Sequence, residues 1–205
     1  MTHTQCGPRP SDPKNFQFNL NPELRPDFAP LRSEIWFPTA KETWPACTSK
    51  RLYDPVLGIT TIVIHATAGS SSAGAFSVMQ DRRASFHWLI PDEDEVGHGK
   101  IIWATAPEAR ACWHVRNSCA HPDICDGRNK INHHSLGIEL VNRAIPTDPF
   151  SSWQINAAAD IIRYAWAKYP NLHHVVSHAK LDPDRRTDPG KHFPWDALKA
   201  AVLNR

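Results

Sequence analysis

The chain has 205 residues, 41% of them hydrophobic and 21% charged, a size and balance that suit one folded domain and do not suit a disordered polymer. Lys and Arg number 23 against 21 Asp and Glu, and the resulting net charge of +2 excludes a strongly basic nucleic-acid binder and favours a small soluble ligand. The unusual counts are 18 prolines, eight tryptophans and twelve histidines, and so many imidazoles direct attention to metal binding and acid–base chemistry.

Nine prolines (Pro8, Pro10, Pro13, Pro22, Pro26, Pro30, Pro38, Pro45 and Pro55) fall in the first 55 residues, so neither long helices nor central strands are expected there. Residues 1–55 are therefore read as an extension ahead of a body at 56–205. Phe16, Phe18, Leu20, Phe28, Ile35, Trp36, Phe37 and Trp44 make it too apolar for a solvated linker, and predict a segment laid along the body's surface. The opening MTHTQCGPRPSDPKN lacks the apolar core of a Sec signal, and no apolar run reaches the roughly 18 residues of a membrane helix. The cysteines (Cys6, Cys47, Cys112, Cys119, Cys125) are sparse and odd in number, which favours a reducing compartment and leaves one or two bridges open.

From Gly58 the texture changes. Ile59 to Ile64 is a β-branched run of strand length, dense enough in apolar residues to be buried on both faces, and it delivers His65 at its end. Ser70, Ser71 and Ser72 offer caps for a helix over 73–83, and 85–90 reads as a strand, with a shorter one at 101–104. In Leu136–Val141 the side chains of Leu136, Ile138 and Leu140 share one face, and Glu139 points the other way beside Gly137. A serine cap at Ser151 or Ser152 starts a helix through Lys168, with Ile155, Ala158, Ile162, Ala165, Trp166 and Tyr169 at helical spacing before Pro170. Val175 and Val176 form a strand ending at His178, and Trp195–Leu203 closes as a helix. The sum is an α/β domain.

Three metal-ligand candidates end or follow strands: His65, His178 and, ten positions on, Asp188. Two imidazoles and a carboxylate suit a catalytic zinc, which keeps three protein ligands and leaves the fourth position to water, whose pKa falls to about 7. Singly, the histidines read equally well as core residues, Asp188 as a cap on the Pro189-Gly190 turn, and Glu139 as the partner of Arg186 in a buried ion pair.

Five strings, IVIHATAG (62–69), SFHWLI (85–90), CWHVRNS (112–118), SLGIELVN (135–142) and HAKLDPDRRTDPGKHFPW (178–195), appear in an order that resembles the zinc-dependent N-acetylmuramoyl-L-alanine amidases, the family that also contains the peptidoglycan recognition proteins. The resemblance covers roughly residues 58 to 197. It implies a single domain with a central mixed sheet flanked by helices, cleaving the amide between the lactyl group of N-acetylmuramic acid and L-alanine in peptidoglycan or muropeptides. It implies one zinc ion held by His65, His178 and Asp188, with Glu139 as the catalytic proton carrier. Arg186 stands where the family usually places an oxyanion-stabilising lysine, and a planar guanidinium is not equivalent to an ammonium there. Phe86 replaces the tyrosine of some relatives.

His87, His114 and Asn142 are expected to line the cleft or to pack beside it, and Trp113 to stack on a sugar or fill the core. The stretch 115–134 reads as an insertion whose Cys119 and Cys125 fit a local disulfide or a plain loop better than a second metal site. The alternative class is a non-catalytic peptidoglycan-binding module of the same fold; the intact ligand set favours the enzyme. A monomer is expected, either cytoplasmic or delivered to the cell wall by a signal-independent route.

Overall fold

The computed structural model describes residues 12–26, 37, 39–43 and 46–204, so Cys6, Phe28, Ile35, Trp36 and Trp44 lie outside the described residues. Its strands are β1 (Gln17–Asn19), β2 (Lys41–Glu42), β3 (Thr48–Lys50), β4 (Thr61–Ala66), β5 (Trp88–Ile90), β6 (Trp103–Ala104), β7 (Arg110–Cys112), β8 (Ser135–Leu140) and β9 (His174–Ser177). Its helices are α1 (Pro55–Gly58), α2 (Ser72–Gln80), α3 (Ser152–Lys168), α4 (His178–Leu181) and α5 (Trp195–Leu203).

Seven strands make one sheet in the order β1-β9-β4-β8-β5-β6-β2, and β3 pairs with β7 in a separate ribbon. β9, β4, β8 and β5 run parallel at its centre, whereas β1 is antiparallel to β9 and β6 antiparallel to β5. The expected mixed α/β sheet is thus present. The proline-rich stretch supplies both of its edges, β1 and β2. A proline cannot donate to a ladder, so the short runs between prolines are usable where only one side needs pairing.

Strand alternation sorts side chains onto two faces. Ile62, Ile64, Leu136, Ile138, Leu140, Trp88, Ile90 and Val175 face one way, into the main core beneath α3 and α5. Val63, Leu89 and Val176 face the other way, into two smaller clusters, and His65 and Glu139 share their parity. α3 begins with a capping box: Ser151 Oγ accepts the Gln154 N–H and the Gln154 side chain accepts the Ser151 N–H, each at 3.1 Å. Its Ile155, Ala158, Ile162, Ala165 and Trp166 are buried, each large side chain contributing about 1.5–3 kcal/mol. α2 stops at Gln80, short of the expected Arg83, because Arg82 turns left-handed at φ 57°.

The insertion carries a small core of its own. Val115, Cys119, Ile124, Cys125 and Ile131 pack on Val63, Val176 and Leu181. Both of its cysteines are free and buried, acting as small hydrophobes, so of the two expectations the loop holds and the local disulfide does not. No described helix is long and apolar enough to cross a membrane.

One polar cluster is sealed inside. Glu108, fully buried, accepts from Tyr164 Oη at 3.1 Å and from Tyr169 Oη, and pairs with Lys168 Nζ at 3.2 Å. Burial pushes its carboxyl up, and the ammonium and phenols oppose the push. Glu108→Ala deletes the carboxylate that accepts from the buried Tyr169 hydroxyl and faces Lys168, so urea denaturation is expected to show a loss of about 3 kcal/mol or more.

Candidate active site

The site forms where the parallel strands end. His65, next to last in β4, stands opposite Glu139 of β8 in register, both on the face away from α3. β9 passes directly into α4, whose first residue is His178; Ser177 Oγ caps the turn by accepting the Lys180 N–H at 3.0 Å. The following loop returns because the Ala179 N–H donates to the Asp188 carbonyl at 3.0 Å, and Asp182, bonded by Arg116 at 2.8 Å and Arg185 at 3.2 Å, holds its middle. Asp188 is thereby brought to His178.

Three ligand atoms meet there. His65 Nδ1 and His178 Nδ1 are 3.0 Å apart, and Asp188 Oδ2 lies 3.2 Å from the first and 3.1 Å from the second. Each Nδ1 carries at most one proton, so these contacts cannot all be hydrogen bonds. A tetrahedral ion with bonds of about 2.0–2.1 Å separates its ligands by about 3.3 Å, and the triangle fits that demand. Burial, with His178 beside it, lowers His65 to about 4. Burial would raise Asp188, but the two imidazoles beside it hold it well below the ordinary carboxylate range. Both groups are in the deprotonated form a metal requires. His65, His178 and Asp188 can therefore bind a metal ion.

Glu139 sits half-buried at the floor of the adjoining cleft, and among the described residues no hydrogen bond or ion pair engages its carboxylate. Desolvation pushes it well above the usual carboxylate range, Asp188 adds to the push, and Arg186 opposes it. The buried Glu139–Arg186 ion pair is thus not formed.

The cleft has two arms that meet at His114, His178 and Arg186. One, of about 680 Å³, runs over Glu139 and the start of α2; the other, of about 560 Å³, runs past Trp113 and Arg116.

A family model described as N-acetylmuramoyl-L-alanine amidase matches residues 55–191. The chain belongs to this amidase family. It is 31% identical over 167 residues to N-acetylmuramoyl-L-alanine amidase AmiD of Escherichia coli (strain K12), covering 77% of this chain and 58% of that protein. It is 31% identical over 128 residues to 1,6-anhydro-N-acetylmuramyl-L-alanine amidase AmpD of Salmonella typhimurium (strain LT2), covering 62% of each. The solved structure of Escherichia coli AmiD with the substrate anhydro-N-acetylmuramic acid-L-Ala-D-gamma-Glu-L-Lys matches with a TM-score of 0.59 and 31% identity, over 71% of this chain and 58% of that one. The chain thus spans about three fifths of the length of these curated relatives.

The other expected site residues divide. Trp113 lies in the second arm, 36% exposed, its Nε1–H donating to Ser49 Oγ at 2.9 Å and the Arg82 guanidinium 5.6 Å from its ring. Ser49 belongs to β3, so the proline-rich stretch helps to wall the cleft of this amidase domain. His114 lines both arms but is buried. Asn142 does not face the cleft: its Oδ1 accepts the Ala144 N–H at 2.7 Å and its Nδ2 donates to Asp148 at 3.0 Å, tying the loop after β8.

His87 does not face the cleft either. It is fully buried, its Nδ1 accepts the Gly137 N–H at 2.9 Å, and its Nε2 donates to the Arg110 carbonyl at 3.0 Å. Beside it lies Arg51, a buried cation that sequence reasoning missed and that donates to the carbonyls of Glu108, Asn132 and Ser135, each at 3.0 Å.

Burial and this cation lower His87 from 6.5 to about 3. Above pH 6.5 it is neutral folded and unfolded; between 6.5 and 3 only the unfolded chain takes the proton, so stability falls as pH falls across that window. The expected contribution is up to about 1.4 kcal/mol per pH unit. Urea denaturation at pH 7 and pH 5 should show His87→Asn, whose Oδ1 can still accept from Gly137, with the shallower loss.

Proposed function

We propose that this chain is a zinc-dependent N-acetylmuramoyl-L-alanine amidase, hydrolysing the amide between the lactyl carbonyl of N-acetylmuramic acid and the amino group of L-alanine in peptidoglycan or its muropeptide fragments. The observation that carries this reading is the His65–His178–Asp188 triangle one strand away from a carboxylate that has no partner among the described residues, at the junction of two cleft arms. Two nitrogens and one oxygen at tetrahedral separation suit zinc. When bound, zinc polarises the scissile carbonyl and makes water a usable nucleophile near neutrality.

The chain's own residues do the rest. Glu139 accepts the proton of the attacking water and returns it to the departing amine of L-alanine, a task that suits a carboxylate whose affinity for protons is raised by its surroundings. Arg186, on the rim of both arms, donates N–H groups to the oxyanion developing on the lactyl carbonyl. Trp113 offers a flat apolar face to the sugar in the second arm. Arg83 and Arg185, also on both rims, pair with the carboxylates of the stem peptide.

The test is digestion of intact peptidoglycan and of a soluble anhydromuropeptide, with products read by mass spectrometry. Free stem peptide beginning at L-alanine is expected, lost with chelator and regained with zinc. Untouched substrates from a protein that demonstrably holds zinc would replace the enzyme with the peptidoglycan-binding module.

A further inference from the structure

Behind the ligand triangle a line of hydrogen bonds runs into the interior. His65 turns Nδ1 toward His178 and Asp188, and its Nε2 lies 3.0 Å from His114 Nδ1. His114 Nε2 is 3.1 Å from Ser135 Oγ, and Ser135 Oγ is 2.8 Å from the Ile131 carbonyl. His65, His114 and Ser135 are all buried.

The proton positions follow from the far end. A carbonyl only accepts, so the single hydroxyl proton of Ser135 goes to Ile131, and Ser135 must accept from His114. His114, buried and without a hydrogen-bonded carboxylate among the described residues, is neutral and has one N–H to give, on Nε2. Its Nδ1 is then a bare acceptor, and the contact with His65 is a hydrogen bond only if His65 carries its proton on Nε2. That leaves the His65 Nδ1 lone pair aimed at the point shared with His178 and Asp188.

The His114 ring can lie there because residue 137 is glycine: a Cβ at Gly137 would stand 2.9 Å from His114 Cγ. The same Gly137 gives its N–H to His87, which fixes the strand beneath the ring. The rings of His65 and His114 meet edge to face at 86°, with centroids 5.1 Å apart.

We infer that His114 and Ser135 are positioning residues for the metal centre: through a directed chain of hydrogen bonds ending at Ile131, they hold His65 as the tautomer that presents Nδ1 to the ion. The inference rests on the metal-centre reading above for its purpose, and on the hydrogen bonds alone for the tautomer. Partners of this kind orient a ligating imidazole and raise its basicity, and their loss typically costs 10–100-fold in metal affinity.

Zinc affinity, measured by competition with a chromophoric chelator, tests the purpose. Ser135→Ala and His114→Leu should each weaken binding by about 10–100-fold. His114→Asn, whose Oδ1 takes the place of Nδ1 as acceptor, should restore most of it; a residue that merely fills space would not discriminate Asn from Leu. Nitrogen-15 NMR of the zinc-free wild-type protein at neutral pH tests the tautomer. The His65 proton is expected on Nε2, and on a mixture of both nitrogens in Ser135→Ala.

A wild-type proton on Nδ1, or undiminished zinc affinity in His114→Leu, overturns the inference. Should the variants not fold, the wild-type spectrum decides alone. A wild-type protein that shows the Nε2–H tautomer but takes up no zinc would sink the metal centre and leave the hydrogen-bond chain standing.

Discussion

Glu139→Gln is expected to lower kcat for release of stem peptide by about 10²–10⁴-fold, the usual worth of a positioned general acid or base. Glutamine keeps the shape and the hydrogen-bonding reach of the side chain but has no oxygen basic enough to take a proton from water. Glu139 stands in register with His65, on the neighbouring strand, and is not one of the three converging ligand atoms. Zinc content and KM should therefore stay near the wild-type values while kcat falls. Steady-state kinetics on a defined muropeptide, with metal analysis of the same preparation, reads both. A variant that lost zinc together with activity would show Glu139 acting on the ion's binding and not on the proton.

Removing a ligand has the opposite signature. His178→Ala and Asp188→Ala are expected to abolish turnover and zinc binding together, and chelation of the wild-type protein should do the same until zinc is restored. The three atoms lie 3.0–3.2 Å apart, so deleting one leaves two donors, too few to hold an ion against water. Stability should fall as well, because an ion that binds only the folded chain adds about 2.7 kcal/mol at 100 times its Kd and about 4.1 at 1,000 times. Thermal melts with zinc and with chelator check this: the wild-type protein should melt lower under chelation, and the two variants should be indifferent. A wild-type melt unmoved by chelator would deny the coupling between ion and fold.

Much of this was readable along the chain because the physics is local. A β-branched run says strand, and strand alternation alone turns Glu139 away from Leu136, Ile138 and Leu140, which all reach the main core. The serine before α3 and the proline after it bracket a helix that runs Ser152–Lys168. The five motif strings led to the family, and to His65, His178 and Asp188, which the structure brings together as a group able to bind a metal ion.

Other positions looked alike in sequence and separated only in space. His87 and His65 both lie in strand-like strings, yet His87 is locked between Gly137 and Arg110, one strand beyond β8. Asn142 follows the Glu139 strand closely and still spends its amide on the next loop. Arg51 and Glu108 carried no signal, since a charge reads as surface until the groups that bury it are known. The composition of residues 1–55 excluded central strands; that β1 and β2 pair at opposite edges was decided by which strands the body left unpaired.

The sequence by itself determined most of the elements and the face on which Glu139 stands, because periodicity and residue chemistry are properties of neighbours in the chain, and its resemblance to the amidases pointed to His65, His178 and Asp188 as candidate ligands. Only the tertiary structure separated the histidines that meet in a group able to bind a metal ion, His65 and His178, from those packed behind them, His87 and His114. That separation turns on register between β4, β5 and β8, and on a glycine that lets one imidazole lie flat against a strand. Contacts between residues that are tens of positions apart set it, and no local pattern encodes them.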